Sequence, residues 1–239
     1  MPTLIVDAGN SLTFAPGEAS TREPAQRTMG QTSVEALKRL GYDAVALGPK
    51  DLLIGRDELS QRLSEAEGLV FLSANVRDAS TGDLVAKPYI VKRIRGHRVA
   101  LIGITGSASE STEFSVADPL DAARQYVAEV QPQADVIILL SNASTSQNKA
   151  IGEQVPGIDI LISGSSTLFP QALRLEGGTL IAQADVSAPY DAGRNVGWLR
   201  VDLDQAGAVK DYQWTQINLS PSVPDDPEMA AWARELTGG

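Results

Sequence analysis

The chain of 239 residues contains no cysteine. That absence excludes disulfides, cysteine-ligated zinc, iron–sulfur clusters and thiol nucleophiles, and leaves the redox compartment open. Histidine is almost as scarce, with His97 alone. Most zinc centres, serine triads and dinuclear metal sites draw on imidazole, usually more than once. His97 sits in Arg93-Ile94-Arg95-Gly96-His97-Arg98, a glycine-centred turn between two strand-like runs. It reads as a solvated hairpin residue. No apolar run reaches the length of a bilayer span, so no direct membrane insertion is expected. The opening Met1-Pro2-Thr3-Leu4-Ile5-Val6-Asp7 lacks the basic flank and long apolar stretch of a signal peptide. Positive charge is also short: 20 Lys and Arg face 30 Asp and Glu, for a net −10. Such a surface repels phosphate backbones, and no nucleic-acid partner is expected.

What is present is ordinary globular material, 43% apolar and 21% charged, in a chain long enough to bury a core without staples. Short runs rich in Val, Ile and Leu predict strands at 4–8, 43–47, 69–74, 89–94, 98–104, 135–141, 158–163, 179–184, 196–203 and 209–217. Val136-Ile137-Ile138-Leu139-Leu140 is continuously apolar, as a central strand covered on both faces would be. Helical patterns alternate with them. One covers 25–40, opening after Pro24 and stopping at Gly41. Others lie around Leu59 and Leu63, at 118–130 behind Asp118-Pro119, at 148–155, and at 226–236. The order predicts an α/β chain with a single domain over 1–239, of which 219–239 form a tail and helix. Trp198 and Trp214 fall on predicted strands and are expected in the core. Trp232 lies on the apolar face of the last helix with Met229 and Leu236.

Several segments, in order, carry a resemblance. Val6-Asp7-Ala8-Gly9-Asn10 looks like VDAGD, and Gly41-Tyr42-Asp43-Ala44-Val45-Ala46-Leu47-Gly48 like the GYDAVTLG that leads into a GNHE motif. Phe71-Leu72-Ser73-Ala74-Asn75-Val76 looks like FLSANV. Residues 99–105 resemble VGVIGLT, 135–141 a strand ending in LSH, 157–164 the GIDVIIGGHSH segment, and 193–203 the closing GR-x-VG strand. Together they resemble the metallophosphatase (calcineurin-like) domain of the 5′-nucleotidase/2′,3′-cyclic phosphodiesterase family. The resemblance implies a four-layer αββα sandwich of two mixed β-sheets, N-terminally truncated. In that family two divalent metals, held by Asp, His and Asn at strand ends, activate water against a phosphoester.

The same match removes the ligands. The bridging Asp of VDAGD is Asn10, and a neutral amide is a far weaker bridge than a carboxylate. GNHE reads Gly48-Pro49-Lys50-Asp51. Pro49 has no ligating side chain, and the Lys50 ammonium has no lone pair to offer a cation. The LSH histidine is Asn142, and the GHSH histidines are Ser165 and Thr167. The D-x-H strand that opens the family motif set has no counterpart here, nor has the nucleotide-binding C-terminal domain of larger members. The expectation is therefore a vestigial cleft of Asn10, Pro49, Lys50, Asp51, Asn142, Ser165 and Thr167, with no catalytic residue, no metal and no cofactor.

Blander readings stand beside these. Lys50 and Asp51 are either an anion anchor or a salt-bridged loop pair. Ser165, Ser166 and Thr167 look like nucleophiles but lack a histidine base and a GxSxG elbow. Three functions remain open: an inactive structural or accessory subunit, a metal-free binder of small anions or nucleotides, and an active phosphoesterase. A further strand is expected along Leu4-Ile5-Val6-Asp7-Ala8, an apolar strand whose edge the missing first strand would otherwise cover, supplied by this chain's own C-terminal region, by a second copy in a homo-oligomer or by a protein partner. Members of this family are commonly exported, which implies an extracytoplasmic location.

Overall fold

The computed structural model describes residues 2–13, 24–108, 111–165, 172–184 and 195–237. In chain order the elements are β1 (Val6–Asp7), the one-turn α1 (Pro24–Arg27), α2 (Gln31–Arg39), β2 (Ala44–Ala46), a 3-10 segment Pro49–Ile54, α3 (Arg56–Glu65), β3 (Val70–Leu72) and β4 (Val76–Asp78). Then come β5 (Tyr89–Ile94), β6 (His97–Ile104), β7 (Phe114–Val116), α4 (Pro119–Val130), β8 (Val136–Ser141), α5 (Thr145–Gln154) and β9 (Ile160–Ser163). The last elements are β10 (Leu173–Arg174), β11 (Leu180–Ala182), β12 (Asn195–Leu203), β13 (Val209–Asn218) and α6 (Pro227–Thr237).

The larger sheet runs β10-β11-β9-β8-β6-β5. Its inner strands are parallel, and β5 and β10 close the edges antiparallel. A second sheet, β1-β2-β3, is wholly parallel. β12 and β13 form a separate antiparallel hairpin, and β4 pairs β7.

Strand alternation sets the layers, because successive side chains point to opposite faces. Along β6, Ala100, Ile102 and Ile104 meet Ala123, Tyr126 and Val127 of α4 and Ile151 of α5. Val99 and Leu101 turn the other way, onto Ala44 and Ala46 of β2 and Leu72 of β3. Val45 of β2 then faces outward onto Val34 and Leu37 of α2 and Leu59 of α3. The result is helices, sheet, sheet, helices: the expected αββα sandwich. Leu101, Ile102 and Ile104 are 0% exposed, and each such side chain stabilises the fold by about 1.5–3 kcal/mol relative to solvent.

Three local expectations change. The helix expected at 25–40 breaks into α1 and α2, because Met29 (φ 46°) and Gly30 (φ 85°) turn left-handed between them. α5 begins at Thr145 rather than near 148. There Ser144 caps the Gln147 N–H while the Gln147 side chain accepts from the Ser144 N–H, a reciprocal capping box. Trp198 is not core: it is 53% exposed on the outer face of the hairpin. Trp214 does face inward, with Leu199, Val201 and Tyr212, onto Leu180 and Ala182. The tip at 93–98 is the expected hairpin, with Ile94 opposite His97. Trp232 returns α6 to α2, where the Arg39 guanidinium lies 5.0 Å from its ring centroid.

Candidate functional site

The carboxyl ends of β1, β2, β8 and β9 meet at one point, and amide side chains join them. Asn10, after β1, has φ 66°, a left-handed conformation that asparagine tolerates better than most residues. Its Oδ1 accepts from the Lys50 N–H at 2.8 Å. Its Nδ2 donates to Asn142 Oδ1 at 3.1 Å, and Asn142 Nδ2 donates to the Gly164 carbonyl at 3.0 Å. The polarity of this chain is fixed from its first link. A backbone N–H demands an oxygen from Asn10, which then presents nitrogen to Asn142, which in turn presents nitrogen to Gly164. The two loops can approach this closely because Gly9 and Gly48 lack Cβ atoms. A Cβ on Gly9 would stand 2.8 Å from the Gly48 nitrogen.

Asp51 lies beneath this chain and is 0% exposed. One carboxylate oxygen accepts from the Asn10 and Gly48 N–H groups at 2.9 and 2.8 Å, and the other from Leu12 N–H at 2.8 Å. It therefore ties the loop after β1 to the turn after β2, as the acidic residue of a helix-start cap. This corrects the salt-bridged loop pair: the carboxylate is taken by three backbone donors rather than by the neighbouring ammonium. Burial pushes its pKa up to about 6. The N–H groups of Gly48, Leu12 and Asn10 pull it down, and the charge of Asp7 adds a smaller upward push. Asp7 itself is raised by burial, against hydrogen bonds from the Ser11 hydroxyl and the Gly9 N–H. Pro49 opens the 3-10 segment at its first position, where a missing N–H costs nothing.

Ser165, expected in the vestigial cleft, follows the exit of β9. It is 4% exposed and turns inward, 3.0 Å from both the Thr145 hydroxyl and Gln183 Oε1. Gln183 Nε2 returns a bond to the Ser165 carbonyl at 2.9 Å, and its Oε1 also accepts from Ser163. Asn148 joins the group between Ser141 and Ser163. Across the sheets, Ser73 meets Thr105 at 2.8 Å, and Thr105 Oγ1 donates to the Leu47 carbonyl. Ser166 and Thr167 lie outside the described residues. Apart from Ser165, this buried network was not singled out from sequence. Its signal was there: the apolar runs of β6, β8, β9 and β11 end in Thr105, Ser141-Asn142, Ser163 and Gln183, so that every one of these strand exits is polar.

A dinuclear metal centre needs several carboxylate or imidazole ligands with lone pairs turned to one point. The described residues do not fit one. The amide oxygens of Asn10 and Asn142 already accept hydrogen bonds, Asp51 is turned into the protein, and no group of three or more His, Cys, Asp or Glu converges among the described residues. No helix among them is long and apolar enough to cross a membrane.

No protein-family model matches the chain. Among curated proteins it is 25% identical over 215 residues to an uncharacterized metallophosphoesterase of Bacillus subtilis, YunD, a match covering 88% of this chain and 44% of that protein. It is 31% identical over 203 residues to a probable 5′-nucleotidase of Treponema pallidum, covering 75% and 34%. Among solved structures, the sulfate thiohydrolase SoxB of Thermus thermophilus superposes with TM-score 0.84 at 22% identity, over 98% of this chain and 42% of that one. A 5′-nucleotidase precursor of Thermus thermophilus gives 0.83 at 23%, over 98% and 49%. The chain spans less than half the length of the curated relatives it matches.

Proposed function

We propose that this chain, whose homologues and structural neighbours are metallophosphoesterases and 5′-nucleotidases, has given up metal-dependent phosphoester chemistry and acts as a structural or accessory subunit through protein contacts. The observation that carries the reading is the directional amide chain from Asn10 through Asn142 to Gly164, with Lys50 N–H at its head. It fills the meeting point of the strand ends with neutral groups that satisfy one another. A neutral, hydrogen-bonded cluster needs no cation to offset repulsion. The Asp51 carboxylate, bonded to this cluster through the Asn10 N–H, is held by backbone donors and is turned away from any ligand. An extracytoplasmic location is part of the same proposal.

The test is direct. The purified chain is dialysed against manganese, cobalt or zinc, passed through a desalting column and assayed for bound metal and for turnover of a model phosphodiester. The expected result is less than stoichiometric metal and no turnover above buffer. Close to two equivalents of retained metal together with metal-dependent turnover would overturn the proposal. A thermal-shift series with phosphate and nucleotides distinguishes a small-anion binder, since a ligand that binds only the folded chain raises Tm.

A further inference from the structure

The densest basic run of this acidic chain lies where β5 turns into β6. Lys92, Arg93, Arg95, His97 and Arg98 stand there with only Ile94 and Gly96 between them. β6 runs parallel to β8, so this hairpin tip is at the amino end of the larger sheet, and the amide cluster is at the carboxyl end. Two of the charges are answered within the chain. Lys92 pairs with Asp43. Asp135 accepts from the Arg98 guanidinium at 2.6 Å and from the Arg98 N–H at 2.7 Å. Those bonds hold the Asp135 carboxyl down to about 2, so it is ionised and committed to Arg98 at neutral pH. Arg93 and Arg95 are exposed, and no hydrogen bond, ion pair or ring contact joins either to a described residue.

Local chemistry argues against arginine at both positions. Arg93 stands directly across the ladder from Arg98, and like charges so placed repel. Arg95 has φ 48° and Gly96 φ 92°. Such a two-residue turn, left-handed at both centres, favours Asn-Gly or Asp-Gly. An aspartate at 95 would suit the backbone better and would set a carboxylate near the guanidinium of Arg93. Each arginine therefore breaks a local rule with no compensating contact among the described residues, which is the mark of a surface kept for something outside the chain. Val91, on the same face of β5 as Arg93, is 39% exposed and adds apolar area beside the charges.

We propose that the tip of the β5–β6 hairpin docks an acidic segment of a partner protein, whose carboxylates are received by the Arg93 and Arg95 guanidinium groups. Guanidinium forks match carboxylates in a two-bond geometry, and both forks here are uncommitted. Charge decides the class of partner. The chain carries a net −10, so a nucleic-acid duplex or an anionic bilayer, which presents charge over a whole surface, is repelled by the rest of the molecule. A single acidic segment meets the tip alone, and its field fades within about 8 Å at physiological salt. The inference adds a contact surface to the accessory reading. The tip and the amide cluster lie at opposite ends of the sheet, so the binding test and the metal assay fail independently.

The test titrates the whole chain with a capped hexapeptide of Asp and Glu, and with an Asn and Gln hexapeptide as the neutral control, and follows the backbone amide resonances. The expected result is saturable shifts centred on Val91, Arg93, Arg95 and Gly96 for the acidic peptide alone, weakening as salt is added, because exposed charge pairs are screened. Arg93→Gln combined with Arg95→Gly should weaken binding about fivefold, as the loss of two exposed pairs would. Its Tm should stay at or above that of wild type, since glycine accepts the left-handed turn and the cross-strand repulsion is gone. Arg124→Gln, which removes an arginine paired with Asp121 on α4, should leave binding unchanged. Shifts that do not saturate or lie elsewhere would overturn the proposal, and so would equal binding by the double variant. Tighter binding to duplex DNA or to phosphatidylserine vesicles than to the peptide would overturn it too. Self-association abolished by the double substitution would make a second copy the occupant and would also overturn it.

Discussion

Restoring the family carboxylate at one position, Asn10→Asp, should weaken the fold rather than repair a site. Asp tolerates the left-handed backbone nearly as well as Asn, so the effect lies in the side chain. One oxygen of the introduced carboxylate keeps the bond from Lys50 N–H. The other would face Asn142 Oδ1 at the 3.1 Å now spanned by an N–H···O bond. Asn142 cannot answer by flipping, because that would set its oxygen against the Gly164 carbonyl. The variant thus loses one hydrogen bond and leaves two opposed acceptors in a site where Asn142 is 9% exposed, a cost of about 2 kcal/mol. For a chain of this size that lowers Tm by roughly 4–8 °C. The new charge would also sit beside Asp51, which bonds the backbone N–H of the same position. Desolvation and this like charge should therefore raise the pKa of the introduced group. Once protonated, it donates to Asn142 Oδ1 and restores the chain, so the gap from wild type should be full near pH 8 and close as the pH falls toward about 4. Equilibrium urea unfolding at several pH values, read by tryptophan fluorescence, measures it. A variant as stable as wild type at pH 8, or a deficit independent of pH, would refute the polarity assigned to the amide chain.

Other outcomes follow from neighbouring residues. Asp51 holds its proton more tightly folded than unfolded, with a pKa near 6 against 3.8; at about 1.4 kcal/mol per unit it contributes about 3 kcal/mol that is full below about pH 4 and lost as the pH climbs past 6. Wild type should lose that stability relative to Asp51→Asn over this range in urea titrations, and an opposite slope would show that the three N–H donors outweigh burial. Lys50→His should give no turnover of a model phosphodiester with any divalent metal, since it supplies one group to a site that needs several acting together; clear turnover would show a cleft nearer competence. Gly197→Ala sets a Cβ inside the contact distance of the Trp214 ring and 3.0 Å from Ala184 Cβ, so about 1–3 kcal/mol should be lost, with a shifted emission maximum as the readout.

Much of this architecture was legible because its determinants are local and repetitive. The continuous run from Val136 to Leu140 announced a strand covered on both faces, and Asp118-Pro119 announced α4. The break at Met29 and Gly30 was not legible, since Met29, Val34, Leu37 and Leu40 read as one set of apolar helix positions, of which only Val34 and Leu37, both on α2, are buried. The three-residue strands β4 and β7 and the two-residue β10 were too short to leave a period. At the site, sequence motifs named Asn10, Asn142 and Asp51 but could not reveal their orientation. Whether Asp51 faces Lys50 or the backbone depends on a loop closure 41 residues away in the chain. The exposure of Trp198 depends on which hairpin face meets Leu180, a tertiary choice that alternation alone leaves open.

The polar residues at the strand exits give the two sheets directional links. Two sheets packed through Ala44, Leu72 and Leu101 adhere by apolar contact, which is non-directional. Their ends need a directional link to fix how one sheet sits on the other. Asn10 to Asn142 provides one such link between β1 and β8, and Ser73 to Thr105 to the Leu47 carbonyl provides another among β3, β6 and β2. Each is short, buried or nearly so, and satisfied at both ends, which is the condition under which polar groups specify a single arrangement rather than destabilise it. None of the linking side chains carries a net charge. Variants that cut one link, Asn142→Ala or Thr105→Val, should therefore loosen the register between the sheets, seen as faster amide exchange in β1 and β2, before they unfold the helices outside. Uniform loss of protection across α4 and β8 as well would show that the links serve only global stability.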